Sequence, residues 1–457
     1  MRSTGTVTAS PGLLADRVPG VRPGAPAHRP SRPVATVRWG WRAAVCRGLL
    51  RLAAPFAMAA LPAAHAGEAA IAYQTAEIVV GGTSHPVTLP AGFRLDVLTE
   101  DLDGPRLLTF GPNGDLFIGS RSGNVYRLPP PYRQAQVLLR LGGYPHSVAF
   151  RAGEILIART DGVYRAPYRP GQERIRPADV TLLAALPGGG GHNSRTLAIG
   201  PDGRVYVSLG ISGNCSDQYL GEGYPFEDRR GGVLVLDETG AAPQWRPYAA
   251  GLRNPVGFDW HPATGVMYAS NNGPDHWGFE QPPEYFARLE AGAFLGMPWF
   301  QFDGTAIRRD DCVRSRPPRP QAEVTAPVLT FPARNAPMAV AFVPAGGMIP
   351  EFAGDAVVAL HGSWATRPHG QSFGDPASRR QPKLIVARFL DGKALRVDDL
   401  VTGFQLPDGR RWARPVGVAV GPDGALYFTS DAGANALFRL SPDPASRGTG
   451  TAEVERP

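Results

Sequence analysis

Cysteine and lysine are the scarcest reactive residues in this chain: three cysteines and two lysines, Lys383 and Lys393, stand beside 45 arginines in 457 residues. Three cysteines allow at most one internal disulfide and exclude a disulfide-stapled scaffold. There is no Cys-x-x-Cys, no His-Glu-x-x-His and no Gly-x-Ser-x-Gly, so thiol-redox, zinc-peptidase and serine-hydrolase chemistry lack their signatures. Without a Cys-x-x-Cys-His the chain carries no covalently attached haem. The body has no apolar run of the roughly 18 residues that a membrane-crossing helix needs, which excludes a bundle of such helices. Helical periodicity is weak almost everywhere, because 56 glycines and 47 prolines interrupt most candidate windows.

What is present begins with an uneven charge. The formal net charge of +7 suggests a nucleic-acid or anionic-membrane partner, but nine arginines against the single acid Asp16 fall within residues 1–66. Without that segment the remaining 391 residues carry about −1, so no nucleic-acid role is expected. The segment has the parts of a secretory leader: basic residues, an Ala-rich apolar run from Leu49 to Leu61, and Ala64-His65-Ala66 before Gly67. A periplasmic or secreted protein is expected. Cys46 would leave with the leader, so that Cys215 and Cys312 remain as a pair, either disulfide-bonded or as two thiols.

From about residue 95 one pattern recurs: a short apolar run, a turn bearing Gly, and a second apolar run. Leu107-Leu108-Thr109-Phe110, Pro112-Asn113-Gly114 and Leu116-Phe117-Ile118 make one copy, and Leu197-Ala198-Ile199, Pro201-Asp202-Gly203 and Val205-Tyr206-Val207 another. Further copies start at Val148, Val256, Val340 and Val416; the second run of the Val340 copy is delayed to Ala356-Val357-Val358. Short β-prone runs around such turns are hairpins. Six of them predict an all-β, six-bladed β-propeller with long loop insertions, placed at 211–248 and 269–335, a sandwich or β-helix being the alternative. The expected layout is a leader over 1–66, an N-terminal extension over 67–87, the propeller over 88–441 and a flexible tail over 442–457.

The residues just before each first run carry the chemistry. They are Pro105-Arg106, Pro145-His146, His192-Asn193-Ser194-Arg195, Arg253-Asn254-Pro255, Ala336-Pro337-Met338 and Arg414-Pro415. If each run is an inner strand, these residues meet at one mouth of the central channel. Several guanidiniums converging there suit a planar polyanion, because their forks bind carboxylates two hydrogen bonds at a time. The run Gly188 to Gly191 opens no helix and so is not a phosphate loop; it is expected to let backbone approach a ligand beside His192.

At these residues the sequence resembles the sorbosone dehydrogenase branch of the soluble quinoprotein aldose (glucose) dehydrogenases, over roughly 88–441. The motifs are Gly191-His192-Asn193-Ser194, Gly251-Leu252-Arg253-Asn254-Pro255, Asn272-Gly273-Pro274-Asp275, His361-Gly362-Ser363-Trp364 and Trp412-Ala413-Arg414-Pro415. The resemblance implies a six-bladed propeller holding pyrroloquinoline quinone and Ca2+ over its axis. It implies His192 as general base, Arg253, Asn254, Arg414 and Lys383 as cofactor-binding residues, and Gly273 and Pro274 as carbonyl ligands of the calcium. The sequence departs from the family where Tyr285 and Ala287 follow Glu284, at Gly296-Met297-Pro298 and at Ala365 after Trp364. His276 and Trp277 either line the pocket or belong to an exposed insertion.

The function implied is oxidation of an aldose or sugar aldehyde by hydride transfer to the quinone, with electrons passing to an external cytochrome or quinone. Two other readings stay open: a calcium-dependent propeller lactonase, which should hold its metal by carboxylates, and a non-catalytic propeller that binds a sugar or a protein. Oligomeric state is not readable from the sequence.

Overall fold

The computed structural model describes residues 70–449; the leader at 1–66 with Cys46, and the end of the tail, lie outside them. Each hairpin copy is the first half of a sheet of four antiparallel strands, and six such sheets, one of them extended by a fifth, parallel strand, form the blades of a propeller. The first strands are Pro105–Phe110, Ser147–Arg151, Arg195–Ile199, Phe258–Trp260, Pro337–Phe342 and Pro415–Val420, and they number blades 1 to 6. The turns to the second strands explain the repeated motif. Gly114, Gly203 and Gly424 hold φ of 82°, 77° and 74°, a left-handed conformation that side chains resist. Asp202 and Asp423 accept the backbone N–H two residues on, closing their turns.

The first strands line the axis. Their later residues, Phe110, Phe150, Ile199, Trp260, Phe342 and Val420 among them, enclose an axial cavity of about 600 Å³. Blade-to-blade contact there leaves little room. A Cβ at Gly257 would lie 2.2 Å from the Met338 carbonyl oxygen, and one at Gly417 2.5 Å from that of Arg106. Hydroxyls fasten the same seams, Ser147 Oγ donating to Arg195 O at 2.8 Å, Ser270 Oγ to Met338 O at 2.6 Å and Thr429 Oγ1 to Arg106 O at 2.6 Å.

The ring closes with a strand from the other end of the chain. Phe93–Thr99 pairs antiparallel with Ala434–Pro442 as the outer strand of blade 6, Leu95 opposite Leu440 and Val97 opposite Phe438. Ahead of it, Tyr73–Val80 and Thr83–Pro90 form a hairpin whose Val87 and Leu89 enter the core shared by blades 5 and 6. Asp443 N donates to Gly92 O at 2.8 Å, so the chain stays attached just past its last strand.

The insertions are narrower than the sequence suggested, because strand Gly232–Asp237 and most of strand Gln244–Ala250 fall within the first expected one. In blade 3 the loop between the second and third strands covers 210–231, and in blade 4 it covers 272–283. A strap over 290–328 then leaves the third strand of blade 4, Glu284–Leu289. Its residues Ala293–Phe294 pair in parallel with Ala249 and Ala250, at the end of blade 3's outer strand, and Met297 N donates to Gly251 O at 2.9 Å. The strap so reaches the face where the first strands begin. There it folds into the small hairpin Phe300–Phe302 and Ile307–Arg309 over a cluster of Phe294, Trp299, Phe300 and Val313. Cys312 on the strap is disulfide-bonded to Cys215 in the blade 3 loop, with Cα atoms 5.8 Å apart.

Two outcomes follow from this packing. Leu426→Ala, at a fully buried position, should cost about 2–5 kcal/mol, whereas Leu395→Ala, at an exposed one, should stay within about 0.5 kcal/mol; denaturant melts measure both. The Cys215–Cys312 bond spans 97 residues, so Cys215→Ser with Cys312→Ser should lose up to about 4.7 kcal/mol in a chain-entropy account. A double variant that melts like the parent would show that the strap is held by its apolar cluster alone.

Candidate functional site: a cationic mouth on the propeller axis

The N-terminal ends of the first strands meet at one mouth, and a closed path of polar contacts runs around it through all six blades. His192 Nδ1–H donates to Ile211 O at 2.6 Å, and Ile211 N donates to Arg253 O at 2.9 Å. Arg253 and Arg334 share Asp275, at 3.3 and 2.8 Å. Gly362 N donates to Asn335 O, and Arg414 Nε to His361 O, each at 2.9 Å. His361 Nε2 donates to Asp431 at 2.6 Å, and Arg106 lies 2.5 Å from that carboxylate's other oxygen. Leu107 N reaches His146 O, His146 Nδ1 reaches Arg195 O, and Arg195 Nη1 returns to His192 O.

His192 has the chemistry of a base. Burial, helped by Arg253, Arg230 and Arg195, pushes its imidazole down to about 4, so it is neutral at neutral pH. With Nδ1–H committed to Ile211, Nε2 carries the free lone pair. Asn254 stands beside it: a Cβ on Gly210 would lie 2.6 Å from both Asn254 Oδ1 and His192 Cβ. Asn254 Oδ1 is buried without a hydrogen-bond partner, as is Asn335 Nδ2. Buried orphans of this kind mark where a polar ligand belongs.

Across the mouth positive charge exceeds negative. Arg411 is pushed down to about 9 by burial and by Arg414 and Arg379. Arg414 falls to about 10 through burial, although Asp431 works the other way. Burial would raise Asp431, but His361, Arg106 and Arg121 hold its carboxyl well below the usual range. It is ionised and already shared. Arg379 Nε is buried without a partner. The charge suits a molecule bearing several carboxylates.

The expected residues fare differently. His192, Arg253 and Arg414 are joined by the path just described and Asn254 stands beside His192, whereas Lys383 is not brought to the mouth. Its ammonium lies 2.5 Å from Asp399 on the outer strand of its own blade, because a flexible side chain at the start of the third strand takes the nearest carboxylate. Gly273 and Pro274 border the mouth, but Pro274 O already accepts from Arg334 Nη1. Both oxygens of Asp275 are held by arginines. Glu284, pushed up to about 7 by burial, accepts from Gly273 N at 2.6 Å. Those donors, set around a guanidinium, do not fit a divalent cation.

Three other expectations are resolved. The close approach at Gly191 is to backbone, since a Cβ there would overlap Ser212 O, and Arg230 bonds the carbonyls of Gly188 and Gly190. His276 is an exposed residue of the blade 4 loop, 2.9 Å from buried Asp310 on the strap and 3.5 Å from Cys215 Sγ. Tyr285 is buried, its hydroxyl donating to Gln301 Oε1 and accepting from Phe302 N, so the changed residue anchors the strap's hairpin. Sequence reasoning missed Arg334, Arg379, Arg411 and Asp431. The paired arginines Arg379-Arg380 and Arg410-Arg411 were the visible hint.

A family model described as Glucose / Sorbosone dehydrogenase matches residues 158–366, and one described as TrAA12-like matches 318–441. An uncharacterised protein of Borreliella burgdorferi is 23% identical over 378 residues, covering 77% of this chain and 90% of that one. Quinoprotein glucose dehydrogenase B of Acinetobacter calcoaceticus is 24% identical over 234 residues, 40% of this chain and 49% of its own. Among solved structures, the holo form of the pyranose dehydrogenase PQQ domain from Coprinopsis cinerea shares the fold at 18% identity and a TM-score of 0.60, over 78% of this chain and 97% of that one. His192, Arg253, Asn254 and Asp275 all fall within the residues that the Glucose / Sorbosone dehydrogenase model matches.

Proposed function

We propose that this chain is a quinoprotein dehydrogenase that oxidises an aldose or sugar aldehyde, and that it works after export and passes electrons to a separate acceptor. The observation that carries this reading is the pairing of a neutral, oriented imidazole with a surplus of guanidiniums across one mouth. Pyrroloquinoline quinone, when bound, supplies the two-electron acceptor for hydride. Arg379, Arg411 and Arg414 hold its carboxylates, and Asn254, with its partnerless amide oxygen, orients it. His192 Nε2 takes the proton from the anomeric hydroxyl, or from the hydrate of an aldehyde, as the hydride leaves carbon. The mouth's walls keep these groups partly dry, which strengthens each charged contact. A lactonase is disfavoured because Asp275 and Asp431 are spent on arginines rather than left for a metal.

Reconstitution of the purified protein with pyrroloquinoline quinone, followed by dye reduction with a panel of aldoses and sugar aldehydes, tests the reading. Absence of quinone binding would leave the sugar- or protein-binding propeller. His192→Ala should keep quinone affinity and slow quinone reduction by about two to four orders of magnitude in single turnovers. Arg414→Ala should weaken quinone binding by roughly 10- to 100-fold, as loss of a charged hydrogen bond does. The proton-transfer step should stay flat from neutral pH into the mildly acidic range and fall with a midpoint near 4, because protonation of His192 removes the base. A midpoint near 6.5 would mean an imidazole unaffected by Arg253, Arg230 and Arg195.

A further inference from the structure

Residues 273–281 of the blade 4 loop curl around one side chain. Arg334 sends Nη1 to Pro274 O and, at 2.8 Å, to Asp275 Oδ1. Its Nε donates to Gly278 O at 2.9 Å, and its Nη2 reaches Gly278 O and, at 3.2 Å, Gln281 O. Three backbone carbonyls and a carboxylate thus converge on a guanidinium that is almost wholly buried. Such a set of hard oxygens, drawn from one short loop, is what a bound cation ordinarily gathers.

The backbone is bent to deliver this side chain. Arg334 has φ of 69° and Ala336 has φ of 52°, in the left-handed region that non-glycine residues occupy at a cost. The bend is fastened to blade 5: Gly362 N and His361 N donate to the carbonyls of Asn335 and Ala336, and Arg380 Nε donates to Ala333 O. Arg334 therefore ties the loop carrying Gly273 and Pro274 to the side of the mouth that holds Arg414. Through Asp275 it also fixes Arg253, beside His192.

We infer that Arg334 is a built-in cation for this loop, so that the loop's shape and the mouth's affinity for its ligand are independent of calcium. A divalent ion on Gly273 O and Pro274 O would sit against the guanidinium with no free carboxylate to separate the two charges. Arg334 is a positioning residue: it presents Arg253 and the Gly273-Pro274 backbone without touching substrate. The ligand part of this inference rests on the quinone reading, whereas the loop part does not.

Thermal melts, calcium titration calorimetry and quinone-binding isotherms of the full chain test it. The wild type should melt at the same temperature in excess EDTA and in millimolar calcium, give no saturable calcium heat, and bind quinone equally in both. Arg334→Gln should lower the melting temperature by roughly 4–6 °C, as breaking a buried pair in a domain of this size does, and Arg334→Lys should recover part of it. Saturable one-to-one calcium binding by the wild type, or a melt or quinone affinity that EDTA lowers and calcium restores, would overturn the inference. An Arg334→Gln variant that melts like the parent would do so as well. If Arg334→Gln does not fold, the wild-type comparison decides alone. If quinone binds in neither buffer the proposed function fails, while the melts and the calcium titration still judge Arg334.

Discussion

Two carboxylates, Asp275 and Asp431, hold the mouth of this propeller together. Each is shared, Asp275 between Arg253 and Arg334, Asp431 between Arg106 and the imidazole N–H of His361. Removing one partner of a buried pair costs about 3–5 kcal/mol, because the other charge is stranded away from water. These two acids are saturated, so further guanidiniums nearby have no carboxylate of their own. Arg379, Arg411 and Arg414 lie within electrostatic reach of one another, and burial deepens their mutual repulsion. An arrangement that strains the empty protein in this way gains most when an anion arrives.

The repeat and the first half of the mouth were legible because both follow from strand position. Arg106, His146, Arg195 and Arg414 each sit at or next to the start of a first strand, so finding the hairpins located them on the same face. The second half comes mostly from loops, Asp275 and Arg379 between second and third strands and Arg334 and Arg411 ahead of first strands, where sequence spacing sets no direction. Lys383 shows the difficulty. A lysine near the expected place was drawn to Asp399, and arginines four and three residues earlier, Arg379 and Arg380, are the cations just ahead of it. Arg334 was hidden for another reason: only the backbone bend at 334–336 brings it under a loop some 55 residues earlier in the chain. The Cys215–Cys312 pair was left open by counting and is settled by the strap, whose path along blade 3 no hydropathy pattern announces.

The departures at Tyr285 and Met297 meet at that strap, whereas Ala365 lies on the blade 5 loop. Tyr285 holds the hairpin at Gln301 and Phe302, Met297 N is bonded to Gly251 O, and Ala287 is buried in the core beneath. His276 meets Asp310 from the same segment. The altered residues therefore shape a wall over blades 3 and 4 on the side where His192 and Arg253 lie. Under the proposed function, substrate choice would belong to that wall, and Arg379, Arg411 and Arg414 would hold the cofactor apart from it.

The closing strand sets a condition on how this molecule comes into being. Phe93–Thr99 has its partner in Ala434–Pro442, more than 330 residues later. Until the last blade has been made, the earliest strand of the propeller is an exposed edge of the kind that pairs with strangers. Bringing such distant segments together is entropically slow. The hairpin at 73–90 packs against blades 5 and 6 and so must wait as well. Whatever keeps the nascent chain apart from its neighbours has to act for the whole of synthesis, and a truncated product would present open β-edges at both ends of an unfinished ring.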